Sequence, residues 1–357
     1  MKRNLLLTPG PTKIPPEVCE VLGKPMIHHR TPEFQECLKE AEEGLKYVFQ
    51  TKNDIYFLAA SGTGGLEASV CSLLSPGDKA VTVEGGKFGE RWTELCHAYG
   101  IEAKVVDVQW GKAVQPQQIQ ELLDQDKNIK VVFITLCETS TGVTTDVKAI
   151  AEVVKKTPAV LVVDAVSGLG VTDLRTDDWE VDVVVSASHK GFMLPPGVAF
   201  VCVNPKAQAL MEQSKSPRYY FDLRKLKKAW EKTDTPFTPA IGIIRALTVS
   251  IKWMKGIGLE DLFHRYAHLA QGTREAAKAL GLELFADPVC ISNVLTPITL
   301  PGNIDGGKLV KTMRDTHGIS IAGGQGHLKG KMIRIAHMGC IDQNDIMIDY
   351  YSISKLD

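Results

Sequence analysis

Residues 186–200 read SASHKGFMLPPGVAF, and the run that leads into them is VDVVVSAS, residues 181–188. Four valines with no charge beyond Asp182 predict a strand buried on both faces of a sheet. Lys190 follows that strand directly, with Gly191 and Pro195-Pro196-Gly197 behind it. A lysine at the carboxyl end of such a strand stands where open α/β sheets bind ligands. An ammonium is costly to bury there unless its pKa falls or its nitrogen is used covalently.

The surrounding chain supplies the sheet. Short apolar runs recur at 55–60, 79–84, 102–108, 130–136, 159–165, 181–187 and 198–203. Between them lie amphipathic stretches such as TGGLEASVCSLL, GERWTELCHAYG and VKAIAEVVKK. That alternation predicts an α/β fold with a mostly parallel seven-stranded sheet covered on both faces. The last two runs are too close for a crossover helix, so one of those strands should run antiparallel. Beyond residue 205 the pattern changes to a long helix bent near Gly256 and Gly258, then strands at SNVLTPITLP, 318–322 and KMIRIAHM. These read as a smaller C-terminal α/β domain. The division is an N-terminal segment 1–15 near the site, a large domain 16–250 and a small domain 251–357.

Two further features point to the carboxyl edge of the sheet. Asp164 ends the run AVLVVDA, where a carboxylate needs a cation or several donors, although capping a following helix is a plainer role. Ala60-Ser61-Gly62-Thr63-Gly64-Gly65 follows the first run and opens a helix, whose free N–H groups suit an anion. The turn lacks the GxGxxG and GxxxxGK[ST] spacings of dinucleotide and P-loop sites and fits a single phosphate monoester. An amine, a buried carboxylate and a phosphate turn at one crevice match pyridoxal 5′-phosphate. Its aldehyde forms a Schiff base with lysine, and its ring nitrogen pairs with an acid.

Other residues have open readings. Glu138, Thr139, Ser140 and Thr141 in CETSTGV suit a phenolic oxygen or a substrate, or simply a capped turn. Arg334 inside KMIRIAHMG calls for a carboxylate, from a substrate or from a structural ion pair. His29 and Arg30 form a cationic pair, either facing substrate or solvated.

Composition sets the limits. The chain has 357 residues, 44% hydrophobic and 23% charged, with a net charge of −1, which gives no electrostatic case for nucleic acid. Eight scattered cysteines show no CxxC or Cys/His ligand spacing, so neither a disulfide framework nor a metal site is expected, and a reducing cytoplasm is. The apolar start is too short for a signal-peptide core, and no run reaches membrane-spanning length.

Taken together, these motifs resemble the class V aminotransferases of pyridoxal-phosphate fold type I, in the alanine-glyoxylate or serine-pyruvate (serine-glyoxylate) branch. The likeness covers most of the chain. It includes LLTPGPTKIPPEV, HHRTPEF, SGTGGLEA, GGKFGERW, ETSTGV, VDAVSGLG, TPFTPAI and GGQGHLKGKMIRIAHMG. By that resemblance Lys190 forms the Schiff base and moves the proton, and Asp164 pairs with the ring nitrogen. Phe88 stacks on the ring; Ser61, Gly62 and Thr63 bind phosphate, with Ser188 and His189 nearby. Thr139 lies near the phenolic oxygen. Arg334 clamps the substrate α-carboxylate, with Pro11 also on the substrate side. Phe237 and Thr238 reach the phosphate from a second subunit, which implies a homodimer with shared sites.

The implied reaction is ping-pong transfer of an amino group from a small L-amino acid, alanine or serine, to a 2-oxo acid, glyoxylate or pyruvate. Two departures affect donor preference: His189 stands where many relatives carry Gln, and Ala336 where many carry Gly. Rival readings are an aspartate or aminophosphonate transaminase, a class V lyase of the cysteine-desulfurase kind, and a non-catalytic subunit of the same fold. A desulfurase needs a mobile cysteine. Cys290 and Cys340 lie beside strand-like runs instead.

Overall fold

The computed structural model describes residues 4–353. The expected bounds 1–15 and 251–357 extend into residues 1–3 and 354–357, which lie outside the described residues. Seven strands form the main sheet in the spatial order 55–58, 199–203, 183–187, 160–164, 129–135, 79–84, 102–107. Ala199–Val203 runs antiparallel to both neighbours, and the other pairings are parallel.

Alternate residues of each strand enter separate apolar cores on the two faces. Val184, Val132 and Ile134 pack on one side; Val183, Val185, Val131 and Phe133 pack on the other. This two-sided burial is why the valine runs carry so few polar residues. The crossover helices include Gly62–Leu73, Lys87–Ala98 and Val147–Val154, the three amphipathic stretches of the sequence.

Glycines set how closely the first of these approaches the sheet. A β-carbon at Gly62 would lie 2.7 Å from Val166 Cγ2, and one at Gly65 would lie 2.7 Å from Val185 Cγ1. The glycines of this turn therefore seat the helix as well as free its amides.

A second sheet of four antiparallel strands comprises 283–284, 295–299, 332–336 and 322–323. The expected strand at 318–322 divides: Ile319–Ser320 leaves this sheet to pair in parallel with Leu5–Leu6. The amide of Ala336 also donates to the Leu7 carbonyl at 2.8 Å. The N-terminal segment is thereby tied to the C-terminal strands. The long helix is two, Ile241–Ile257 and Leu259–Ala279, broken at Gly258 with φ of 90°. Helix Pro32–Phe49 packs on the first, where Gly44 leaves room for Ile251. Among the described residues no helix is long and apolar enough to cross a membrane.

Candidate active site

Asp164 is the last residue of its strand and lies in register with Thr135 and Val185 on the flanking parallel strands. Lys190 leaves the strand Val183–Ala187 at the same edge. Parallel neighbours end on the same side of a sheet, so both side chains reach one cavity. Ser61, Gly62, Thr63, Phe88 and His189 line it with them.

The lysine is 8% exposed and the aspartate 4%. Burial pushes the Lys190 amine down to about 8; Asp164 opposes that shift, while Arg334 and Arg91 add to it. Burial pushes Asp164 up to about 6, against the Val166 N–H that its carboxylate accepts at 2.9 Å and against Arg91 and Lys190. His189 is driven down to about 4 by desolvation and by Lys190, so its imidazole is neutral. Its Nδ1 is buried without a hydrogen-bond partner among the described residues. A buried unpaired ring nitrogen beside an amine and a carboxyl is a polar demand that a bound molecule would meet.

The N-terminal segment covers the lysine. Lys190 Nζ donates to the Pro9 carbonyl, and Thr12 Oγ1 donates to the Lys190 carbonyl at 3.0 Å. Gly10, with φ of 117°, packs against the lysine side chain. Pro11 is exposed, so its neighbours Pro9, Gly10 and Thr12 make these contacts.

Phe88 is held by residues distant in sequence. The helix Lys87–Ala98 starts at Gly86, which has no capping side chain. Glu138 fills that role: one carboxylate oxygen accepts from the amides of Phe88 at 3.0 Å and Gly89 at 2.8 Å. The other oxygen accepts from the Ser140 amide at 3.0 Å, and Ser140 Oγ accepts from the Lys87 amide. Glu138 and Ser140 of CETSTGV therefore cap a helix that comes about fifty residues earlier. Thr139 is buried, and its carbonyl accepts from Arg334 Nη1 at 2.7 Å. Arg334 Nε donates to the Gly323 carbonyl at 2.9 Å. Arg334 is 7% exposed, and desolvation lowers its pKa to about 10, opposed by Glu138.

Some expected residues lie elsewhere. The Ser188 hydroxyl donates to the Pro195 carbonyl at 2.7 Å and accepts from Val198, so the loop uses it and it does not line the cavity. Phe237 and Thr238 line a different hollow with Tyr220 and Leu226. Arg30 pairs with Asp234 and donates to the Thr235 carbonyl at 2.9 Å, which ties it to the segment before Phe237. Leu66, Arg91, Cys137, Val166 and Ser167 also line the cavity and went unread in the sequence as site residues. Arg91 lies one turn beyond Phe88, a spacing that puts both on one helix face. Cys137 ends the approach to Glu138, and its thiol is raised to about 12 by burial.

Comparison with known proteins gives concordant matches. The family model described as "Aminotransferase class-V" matches residues 5–341. A chain named "Soluble hydrogenase, small subunit" from Synechococcus sp. (strain PCC 6716) is 41% identical over 97% of this chain and 90% of its own. The "L-aspartate--glyoxylate aminotransferase" of Paracoccus denitrificans (strain Pd 1222) is 37% identical over 95% of this chain and 87% of its own. A solved structure of the ureidoglycine-glyoxylate aminotransferase of Bacillus subtilis superposes with a TM-score of 0.95 at 30% identity. It covers 99% of this chain and 92% of that one.

Proposed function

The chain belongs to the class V aminotransferase family, and from that premise we propose that it moves the amino group of alanine or serine to glyoxylate or pyruvate with pyridoxal 5′-phosphate as cofactor. The observation that carries this reading is the convergence of Lys190, Asp164, Phe88 and the Ser61–Thr63 turn on one cavity. The relatives named above share glyoxylate in two of their three names, which supports it as the acceptor.

The residues present fit the cofactor. Lys190 would hold it covalently, Asp164 would face its ring nitrogen, Phe88 its ring, and Ser61, Gly62 and Thr63 its phosphate, at the uncapped start of helix Gly62–Leu73. His189 Nδ1 offers one further polar contact. When bound, pyridoxal phosphate supplies an electron-accepting ring that stabilises charge on the substrate α-carbon.

The chain's own residues do the rest. With a pKa of about 8, Lys190 is partly a free base near neutral pH, so its nitrogen can take and return the α-proton. Asp164 holds a proton on the ring nitrogen most strongly as a carboxylate, and the Val166 N–H, Arg91 and Lys190 favour that form. Arg334 keeps two donors engaged with Gly323 and Thr139, which fixes its guanidinium plane for a substrate carboxylate. The cover from Pro9 to Thr12 limits water at the amine.

A homodimer with shared sites suits the surface near Phe237. Tyr219 is 72% exposed and Tyr220 41%, and Tyr220 stacks on Phe237 at 4.9 Å, an aromatic patch of the sort found in subunit interfaces. The expected border at 250/251 falls within helix Ile241–Ile257, and the helix break at Gly258 supports a division nearby. The test is a half-reaction screen. Purified holoenzyme is mixed with single amino acids, and loss of the bound-aldehyde absorbance is followed. Conversion by alanine or serine, reversed by glyoxylate, supports the reading; no conversion by any α-amino acid overturns it.

A further inference from the structure

Arg91 projects from helix Lys87–Ala98 into the wall of the cavity that holds Lys190 and Asp164. Its Nη1 donates to the Thr63 hydroxyl at 3.2 Å, and its guanidinium carbon sits 5.0 Å from the centre of the Phe88 ring. Among the described residues no carboxylate pairs with it. Most cations on this chain that line a cavity are neutralised nearby, as Lys79 is by Asp126 and Lys130 by Asp78. A half-buried guanidinium whose hydrogen-bond partner among the described residues is a neutral hydroxyl retains its charge for something that enters the cavity.

The cavity's other nitrogen groups cannot serve as that charge. Lys190 is the covalent anchor in the function proposed above, and the neighbouring His189 imidazole is neutral. Thr63, which Arg91 grips, is the second residue of helix Gly62–Leu73, at the end where an anion is favoured. We infer that Arg91 is the fixed counter-charge for the cofactor's phosphate, held beside the Thr63 hydroxyl and braced by the Phe88 ring. This inference rests on the pyridoxal-phosphate reading of the cavity.

The experiment compares pyridoxal 5′-phosphate with pyridoxal, which lacks the phosphate, for equilibrium binding to cofactor-free protein. In Arg91→Gln, affinity for the phosphate ester should fall about 30-fold or more, as loss of a charge-assisted contact implies, while affinity for pyridoxal changes less than about threefold. Arg91→Lys keeps the charge without the planar fork and should show a smaller loss, again confined to the ester. It serves as the test if the Gln variant does not fold. Equal loss of both compounds, or loss of neither, overturns the inference and makes Arg91 a brace for Phe88 alone. Failure of the wild-type protein to take up either compound instead defeats the cofactor reading itself.

Discussion

Gly10 lies so close against Lys190 that a β-carbon at residue 10 would overlap the lysine's Cδ, Cε and Nζ. The backbone there has φ of 117°, a conformation glycine adopts freely and other residues do not. Pro9 on one side accepts from the lysine amine, and Thr12 on the other donates to its carbonyl. The same segment pairs through Leu5 with strand Ile319–Ser320, and its Leu7 carbonyl accepts from Ala336 of the strand that carries Arg334. A short stretch of backbone thus touches the Lys190 amine and the strand that bears Arg334.

Gly10→Ala should therefore cost about 1–3 kcal/mol of stability from backbone strain and displace the lysine as well. The expected result is folded protein with a lower denaturation midpoint and at least about a tenfold loss of cofactor affinity. Circular dichroism in denaturant and equilibrium cofactor binding read the two effects separately.

The depressed Lys190 pKa has a signed consequence for the cofactor-free protein. Its amine titrates near 8 when folded and near 10.5 when free. Between those values the unfolded chain binds more protons, so stability rises with pH across that window. Below pH 8 both states are protonated and the full burial penalty remains. Lys190→Met should remove the rise, a difference on the order of 3 kcal/mol between pH 7.5 and 10.5. Chemical denaturation of both proteins at several pH values measures it.

Glu138→Gln keeps the shape of the side chain and replaces one acceptor with a donor. Both carboxylate oxygens already receive N–H groups, from Phe88 and Gly89 on one and Ser140 on the other. The new amide must face one of these donors, at a cost of about 1–3 kcal/mol. The helix start that bears Phe88 should loosen, so cofactor affinity should fall together with stability.

Arg334→Lys retains charge and loses the forked geometry that holds both Gly323 and Thr139. KM for amino-acid donors should rise about tenfold or more, with cofactor affinity within about twofold of wild type. Steady-state kinetics beside a binding titration separates the two.

The sheet and its reactive edge were legible because their signals are local. Valine runs such as 183–185 record burial on two faces, and Asp164 and Lys190 each follow such a run directly. The antiparallel strand followed from the short link between 187 and 199. Helix Pro32–Phe49 went unread, although Thr31 as its cap, Pro32 at its first position and Phe34, Leu38, Ala41 and Leu45 on one face are local signals for it. Other features depend on partners far along the chain. Nothing near Pro9 in sequence announces Lys190, and nothing near Glu138 announces the amides of Phe88 and Gly89. The Ser188 hydroxyl went to its own loop for the same reason: the return of the chain at Pro195 decides its partner.

The central claim is that the Lys190 amine is the covalent anchor of pyridoxal phosphate. Borohydride reduction of the holoenzyme followed by proteolysis and mass spectrometry tests it most directly. A single phosphopyridoxyl group is expected, on the peptide containing Lys190, and none in Lys190→Met. Stoichiometric label on a different lysine, or a reduced holoenzyme whose Lys190 peptide is unmodified, would contradict it.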